Sequence, residues 1–564
     1  MWRKAIESIP FIWILVLCLV APVPLDAQVA GATLSGTITD GQGGVVPGAT
    51  VSITNIATGV MASTKTNEVG AYAVPNLNAG DYQVSASAPG FSTAVAKLTL
   101  TVGQKQELNL ALMVGTLSET VEVTSAAPLV ELASSTISGN VSATTLRELP
   151  LNGRDWASLA TLQPGVAFVR THPLGTQASR GLGLHMTISG GRPTQNSYRL
   201  DGAVVNDYSN AGPGSVLGQN LGVDAIQEFS VLTSNYSAEY GFTSGGVINA
   251  ITRSGSNTFH GSVFDFLRND HLDAANFFNN ANNLPKQPLK RNQFGASGGW
   301  RVLKDRLFLF GDYEGVREVK GTPQTQFTIS DAVRAGRVTN LSNGAVSTVP
   351  IDPYIRKYLG FYPPPNGSPS CVGCNANVGP YNWTAVQRTS ENFITTRGDM
   401  KISDKDSVFA TFVRDPSNFT LPQALNQVFV KYGAYRQAAV LEETHTFSPS
   451  IVNTLRVALD KTNGKTNNYY DFAGQAINPL AADTSLNMLP GVQGYGAPLV
   501  FLSNTNITQP IQLWGGTHQD LWNQIFQVYD DAFVTRGNHG FKFGFTFLAQ
   551  QNDVIAIKDR KSVV

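Results

Sequence analysis

Charge is scarce in this chain and evenly balanced: 40 basic residues face 40 acidic ones, and together they make up 14% of 564 residues. A chain without net positive charge lacks the electrostatic footprint with which proteins neutralise phosphates, so no nucleic acid is expected as a partner. Cysteine is nearly absent, with three in the whole sequence, and histidine is limited to seven. None of the histidines forms H-E-x-x-H, and no phosphate-cradling G-x-x-x-x-G-K-[ST] is present. The string Gly295-Ala296-Ser297-Gly298-Gly299 spells G-x-S-x-G, yet a nucleophile elbow needs a strand, a sharp turn and a helix, and this string lies in a strand leading to a hairpin turn. The chain is therefore read as no enzyme and as needing no cofactor. Long apolar runs are missing too: beyond residue 27 nothing approaches the roughly 18 uncharged apolar residues of a transmembrane helix, so any membrane role must come from strands.

Strands are abundant. In Gly540–Asn552, Phe541, Phe543, Phe545 and Phe547 take one face while Lys542, Gly544 and Thr546 take the other, as alternation across a strand requires. Similar segments are expected near 259–268, 290–301, 306–316, 391–402, 407–416, 434–447, 451–463 and 521–535. The gaps between them alternate in length. Val302–Asp305, Ser403–Asp406, Ser448–Ser450 and Arg536–His539 read as turns, whereas 269–289, 317–390, 417–433 and 464–520 are long excursions. Short turns on one rim and long loops on the other are the pattern of outer-membrane barrels, with a greasy outside and a wet lumen. Compact soluble domains join their elements with roughly 4–6 residues, which the 317–390 excursion far exceeds.

Residues 1–27 read as a secretory signal peptide: Arg3 and Lys4, an apolar run from Phe11 to Val20, Pro22 and Pro24, then Leu25-Asp26-Ala27. Cys18 leaves with it. Cys371 and Cys374 sit among Pro and Gly in the longest loop, and in an exported chain they are expected to form a small disulfide. A metal site would need further ligands, and the closest histidines, His271 and His445, are far along the chain. A redox C-x-x-C would need a βαβ context that is absent.

Residues 32–113 read as a small β-sandwich. Val51 and Ile53 alternate with Ser52 and Thr54, and Leu108, Leu110 and Leu112 alternate with Asn109 and Ala111. Turn pairs such as Asp40-Gly41 and Pro47-Gly48 punctuate them. Gly36-Thr37-Ile38-Thr39-Asp40, Pro47-Gly48-Ala49-Thr50-Val51, Gly70-Ala71-Tyr72, Gly80-Asp81-Tyr82 and Gly90-Phe91 resemble the carboxypeptidase regulatory-like domain. That resemblance implies a seven-stranded sandwich without catalysis.

Residues 114–254 mix helix and strand signals and resemble the plug of Oar-like TonB-dependent receptors, with 255–564 as a partial barrel. The carrying motifs are Leu151-Asn152-Gly153-Arg154-Asp155, Gly190-Gly191-Arg192-Pro193, Asp201-Gly202 and Asp224-Ala225-Ile226-Gln227-Glu228-Phe229. They continue through Asn235-Tyr236-Ser237-Ala238-Glu239-Tyr240-Gly241, Gly245-Gly246-Val247-Ile248-Asn249, Phe259-His260-Gly261-Ser262 and Arg291-Asn292-Gln293-Phe294-Gly295. Gly299-Trp300 departs from an expected Gly-Pro and bears on one strand end only.

A domain inside a barrel must set polar backbone against a polar wall, so Arg154, Asp155, Arg192 and Asp201 are expected to make charge-assisted bonds to it; the alternative is that each ties a plug turn together. Ser118 and the following Glu119, Thr120, Val121, Glu122, Val123 and Thr124 resemble a TonB box, which pairs by strand addition with an energy-coupling protein. The alternative for 119–124 is a first plug strand. Asn206–Leu221 is the expected ligand-facing apex, with Asn206, Asp207, Tyr208, Asn210 and Gln219 as contacts. The loops add Tyr354, Tyr358, Tyr362, Tyr381 and Trp383, which equally suit an aromatic girdle or loop packing.

The fold class expected is mainly β: signal peptide, seven-stranded β-sandwich, α+β plug, then the first strands of an antiparallel transmembrane β-barrel. The resemblance implies an outer-membrane TonB-dependent receptor in a Gram-negative cell, with plug and amino-terminal domain on the periplasmic side, taking up an extracellular solute of unidentified chemistry. Implied partners are the TonB-type coupling protein, outer-membrane lipid and the barrel-assembly machinery. Two rivals stand beside it: a structural, adhesive or export-related surface barrel without energised uptake, and a secreted β-protein using the sandwich to bind carbohydrate. Plug-bearing barrels have about 22 strands, whereas nine are counted here, and Lys558–Val564 is basic where a strand with a terminal aromatic is expected. The sequence is thus read as the front of a longer, carboxy-terminally truncated barrel that does not insert alone as a working pore.

Overall fold

The computed structural model describes residues 31–115, 120–122, 136–149, 151, 153–169, 185–216, 220–241, 243–275, 277, 280, 286–367, 374–422, 424–470, 500–501, 512–513, 518–537 and 539–557. The expected signal peptide, Cys371 and Gln219 lie outside them, as do Glu119, Val123 and Thr124.

The amino-terminal sandwich is built from β1 (Ala32–Asp40), β2 (Thr50–Asn55), β3 (Met61–Lys65), β4 (Ala71–Leu77), β5 (Gly80–Ser87), β6 (Thr93–Leu100), β7 (Lys105–Glu107) and β8 (Leu110–Leu112). One sheet is ordered β4-β1-β7 with β8 also on β1, and the other runs β3-β2-β5-β6. Because β7 and β8 both run parallel to β1, they are two halves of one path interrupted at Leu108-Asn109, which gives seven strand paths. The alternating residues meet between the sheets, with Leu34, Ile38, Val51, Ile53, Val84 and Leu110 in one buried cluster. A short strand, β9 (Thr120–Glu122), continues the second sheet beyond β6.

The domain expected to be the plug, hereafter the plug, comprises β10 (Ile137–Val141), β11 (Val166–Phe168), β12 (Met186–Ile188), β13 (Ser197–Leu200), β14 (Ala203–Val204), β15 (Ile226–Ser234) and β16 (Val247–Thr252). β10-β15-β16-β13-β14 form a mixed sheet and β11 pairs with β12. A helix at Ala143–Glu148 is capped by the Ser142 hydroxyl, and a 3-10 turn at Trp156–Leu162 is capped by Asp155. Trp156 packs on Phe229 with ring centroids 5.3 Å apart.

The remaining large sheet has nine antiparallel strands in chain order: β17 (His260–Asn269), β18 (Leu289–Leu303), β19 (Leu307–Ile329), then β22 (Val378–Lys401), β23 (Asp406–Pro422), β24 (Val428–Ser448), β25 (Ile451–Tyr470), β28 (His518–Arg536) and β29 (His539–Ile557). Small hairpins, β20 (Arg337–Thr339) with β21 (Val346–Thr348) and β26 (Val500–Phe501) with β27 (Gln512–Leu513), decorate two of the long excursions. The strands stand where the alternation places them but reach further at the loop end. β19 and β22 stay in register out to Ile329↔Val378, well inside the expected 317–390 excursion. There the stretch Thr322-Pro323-Gln324-Thr325-Gln326 is polar on both faces. Period-2 hydrophobicity marks a strand only where one face meets lipid, so a ladder rising above the bilayer loses its signature while keeping its hydrogen bonds. The sheet curves around the plug without closing; among the described residues β17 and β29 are its edges.

Candidate functional site: the plug seated against the wall

Alternation puts one set of side chains of each long strand on the lumen side. On β19 these are Phe308, Phe310, Asp312, Glu314 and Val316; on β22, Phe393, Thr395 and Arg397; on β28, Asn523, Ile525 and Gln527; all are buried. Their neighbours Leu309 and Trp300, and Phe541, Phe543, Phe545 and Phe547 on β29, are exposed apolar residues of the outer face. The lumen wall meets the plug through one continuous cluster in which plug residues Trp156, Leu200, Phe229 and Ile248 join wall residues Phe310, Phe393 and Val413.

Two of the four side chains expected to meet the wall make buried ion pairs with it. Asp201 sits at φ +48° and Gly202 at φ +80°. They form the two-residue turn between β13 and β14, a conformation that Asp-Gly supplies readily. The turn aims the Asp201 carboxylate at Arg397 of β22, Nη1 to Oδ1 3.1 Å, while Thr252 donates its N–H and hydroxyl to the same carboxylate at 2.9 and 2.8 Å. Arg397 also holds Asp399 at 2.7 Å, and Asp399 accepts from Ser254 at 2.6 Å. Arg154, at φ +54°, bridges Asp224 of the plug at 2.7 Å and Glu314 of β19 at 3.2 Å, with its guanidinium 3.9 Å over the Phe264 ring. Glu314 also accepts the Gly222 N–H at 3.0 Å and the Gln293 amide at 2.6 Å. Such pairs are charge-assisted and withdrawn from water, so they fix register as well as adding energy.

The other two expected wall contacts correct that expectation. Asp155 faces inward on the plug itself, accepting N–H groups of Ala157 at 3.2 Å and Asn220 at 3.1 Å. Burial pushes its carboxyl up to about 7, against the lowering effect of those donors. Arg192 lies in the turn before Pro193, where its N–H is donated to Gln195 Oε1 at 2.9 Å; no bond from its side chain to the wall is found among the described residues. Both tie turns together, because each stands beside a chain reversal whose N–H groups need partners.

The described apex residues Asn206, Asp207 and Asn210 make hydrogen bonds that hold the loop. Asn206 Oδ1 accepts the Tyr198 N–H at 2.9 Å and its amide reaches Asn196 O at 2.8 Å. Asp207 accepts from Ser209 N, Ser209 Oγ and Ala211 N at 2.8, 2.7 and 3.0 Å, and burial raises its carboxyl above the ordinary range. Asn210 donates to Thr194 O at 2.6 Å, and the Tyr208 ring lies where a side chain on Gly464 of β25 would stand. Higher in the loops Tyr362 is buried, while Tyr381 and Trp383 pair at 5.7 Å on the extension of β22.

Several contacts were not read from the sequence. Gln527 of β28 accepts the Val204 N–H and donates to its carbonyl, both at 2.8 Å, a side-chain substitute for a strand neighbour. Arg456 of β25 bonds Glu442 of β24, Nε to Oε2 2.8 Å, and lies under Gly202. The available signal was polar residues at alternate positions of otherwise apolar strands. The sandwich closes the turn-side mouth over these groups. Asn76, near the carboxy-terminal end of β4, donates to Glu442 at 3.1 Å and Thr444 at 2.7 Å; Asn67 donates to Gly537 O at 2.8 Å and Thr64 to Pro449 O at 3.0 Å. From the other direction, Asn257 donates to Thr58 O at 2.6 Å. Between sandwich, plug and wall lies a cavity of about 580 Å³ whose lining includes Asn76, Arg253, Arg397, Lys401 and Glu442. At the turn end of β23 and β24, ligand atoms of Asp406, Glu443 and His445 lie within 4.8 Å of one another, a grouping that could hold a metal ion; Asp406 and His445 already bond at 2.6 Å. Cys374 is disulfide-bonded.

An outer-membrane β-barrel sheet wrapped around an internal domain, with a β-sandwich at its turn-side mouth, is the class that this fold and interface define. The chain belongs to the outer membrane beta barrel domain family, whose model matches residues 251–560, and a carboxypeptidase regulatory-like domain matches residues 33–113. It is similar to the TonB-dependent transporter Oar of Myxococcus xanthus, at 27% identity over 341 residues, covering 54% of this chain and 30% of Oar. Among solved structures it is similar to the outer membrane transporter YddB from Escherichia coli, at 13% identity and TM-score 0.45 over 74% of this chain and 48% of YddB. It is also similar to BauA, the ferric preacinetobactin receptor of Acinetobacter baumannii, at 12% identity and TM-score 0.35 over 75% of this chain and 60% of BauA. The chain thus spans under a third of the curated relative's length and about half of YddB's.

Proposed function

We propose that this chain serves as an outer-membrane receptor for energised import, in which an extracellular solute binds above the plug and a TonB-type coupling protein draws on the segment around 119–124 from the periplasm. The observation that carries the reading is the plug held to the wall by the buried pairs Asp201–Arg397 and Arg154–Glu314. A permanent surface scaffold gains little from a separate domain in its lumen tied by a few polar clamps, whereas a gate needs a seal that is specific and can be pulled apart. The test is deletion of 119–124 in the receptor expressed in its own host. Loss of cross-linking to the coupling protein with unchanged surface display supports import. Unchanged cross-linking supports a structural or adhesive barrel instead.

A further inference from the structure

β9 carries an arrangement that the import reading does not itself require. Thr120–Glu122 is laid parallel along β6 in the register Thr93↔Thr120, Ala94↔Val121 and Val95↔Glu122. It thereby becomes the last strand of the sheet β3-β2-β5-β6-β9 among the described residues. The sheet that holds it is itself bonded to the barrel mouth through Thr64 of β3, while Asn67 in the loop after β3 and Asn76 of β4 in the other sheet add further bonds to that mouth.

We propose that the sandwich is a docking platform: it presents 120–122 as a pre-extended edge strand, and the coupling protein adds its own strand on the far side of β9, so that sandwich, segment and partner form one continuous sheet. This rests on the reading of 119–124 as the coupling segment. A strand has two edges, and among the described residues β6 pairs with only one of β9's, so pairing in cis leaves the opposite row of N–H and C=O groups for addition. Ordering a free segment costs backbone entropy. A segment already extended along β6 has met that cost before the partner arrives. Glu122 adds a negative charge to the strand, which suits a partner strand carrying basic side chains. Force applied to β9 would also be felt by β6, and through it by the sandwich at the barrel mouth.

The experiment is a disulfide lock, Val95→Cys with Glu122→Cys, in the complete receptor held in nanodiscs. Its probe is the purified periplasmic domain of the host's coupling protein, with binding measured by biolayer interferometry before and after reduction. The platform predicts that the lock forms on oxidation and that the locked receptor binds at least as tightly as the reduced one, up to about tenfold tighter. Binding lost on locking and restored by reductant would overturn it, because the segment would then have to leave β6 to be used. Failure of the lock to form would overturn the pairing itself. Deletion of 119–124 separates the two readings: if it leaves binding unchanged, the coupling-segment assignment falls first, whatever the lock does.

Discussion

Asn76 and Glu442, 366 positions apart in sequence, are joined by a 3.1 Å hydrogen bond, and the other carboxylate oxygen of Glu442 takes the guanidinium of buried Arg456. One wall carboxylate therefore serves the sandwich and the lumen at once. Removing it in Glu442→Ala leaves Arg456 charged and buried without its partner, a loss of the kind that costs about 3–5 kcal/mol. Asn76→Gly keeps the left-handed backbone at φ +57° and removes only the amide, so it should cost about 1 kcal/mol per bond lost. Hydrogen exchange of the protein checks this: Asn76→Gly should deprotect the end of β4 alone, and Glu442→Ala should deprotect the end of β4 and β25 together.

Gly202 offers a sharper case. Its φ is +80°, and a Cβ there would lie 2.3 Å from Arg456 Nη1. Gly202→Ala combines backbone strain of about 1–3 kcal/mol with displacement of the guanidinium from Glu442. The expected outcome is faster exchange in β13, β14 and β16 with the outer strands unchanged. Equal protection in variant and parent would mean that Arg456 moves aside at no cost.

How much of this was legible in the sequence depends on the solvent each face meets. The nine barrel strands could be read because lipid on one side and a polar lumen on the other impose period 2, as in Phe541 to Phe547. The Thr322–Gln326 extension could not, since neither face there carries an apolar stripe. Asp201 and Arg154 could be picked out as charged residues in glycine-rich turns, but so could Asp155 and Arg192. What separates them is which way the turn points, set by β13, β14 and the wall together. Arg397, Glu442 and Gln527 were hidden for the complementary reason: a lone polar residue in a strand reads as lumen lining, and only tertiary register gives it a plug partner. The pairing of β9 with β6 lay equally beyond the sequence, because strand addition needs main-chain groups that every residue carries.

The plug should also respond to pH. Burial lifts the carboxyl of Asp155 to about 7 and that of Glu228 to about 7, the latter despite accepting the Val102 N–H from the sandwich. A folded-state pKa raised above its unfolded value means that the folded protein holds a proton the unfolded chain releases. The stability so gained is complete below the ordinary carboxylate range and is lost as pH rises toward about 7. Within that window each group contributes a slope of about 1.4 kcal/mol per pH unit. Asp155→Asn retains an oxygen that can accept the Ala157 and Asn220 N–H groups and does not titrate. Thermal unfolding followed from pH 4 to 8 should therefore show a shallower decline for Asp155→Asn and a smaller one again for the double variant with Glu228→Gln. Curves parallel to the parent's would mean that neither carboxyl carries a proton in the folded plug.

The outer face makes the last prediction. Phe541, Phe543, Phe545 and Phe547 are each about half exposed on β29, on the side away from the plug, while Lys542 between them turns inward to bond Glu239. If that stripe meets hydrocarbon, a charge placed on it costs about 2–4 kcal/mol near the bilayer midplane and about 0–1 near either interface. If the stripe instead met water, the same charge would cost nothing and would improve solubility. Arginine scanned singly through the four positions should give a depth profile, with the greatest loss of heat-stable, membrane-embedded protein at the central positions. The neighbouring Thr546→Arg faces the lumen and should escape that profile. A flat response across all four phenylalanines would remove lipid from this face and with it the barrel assignment of β29.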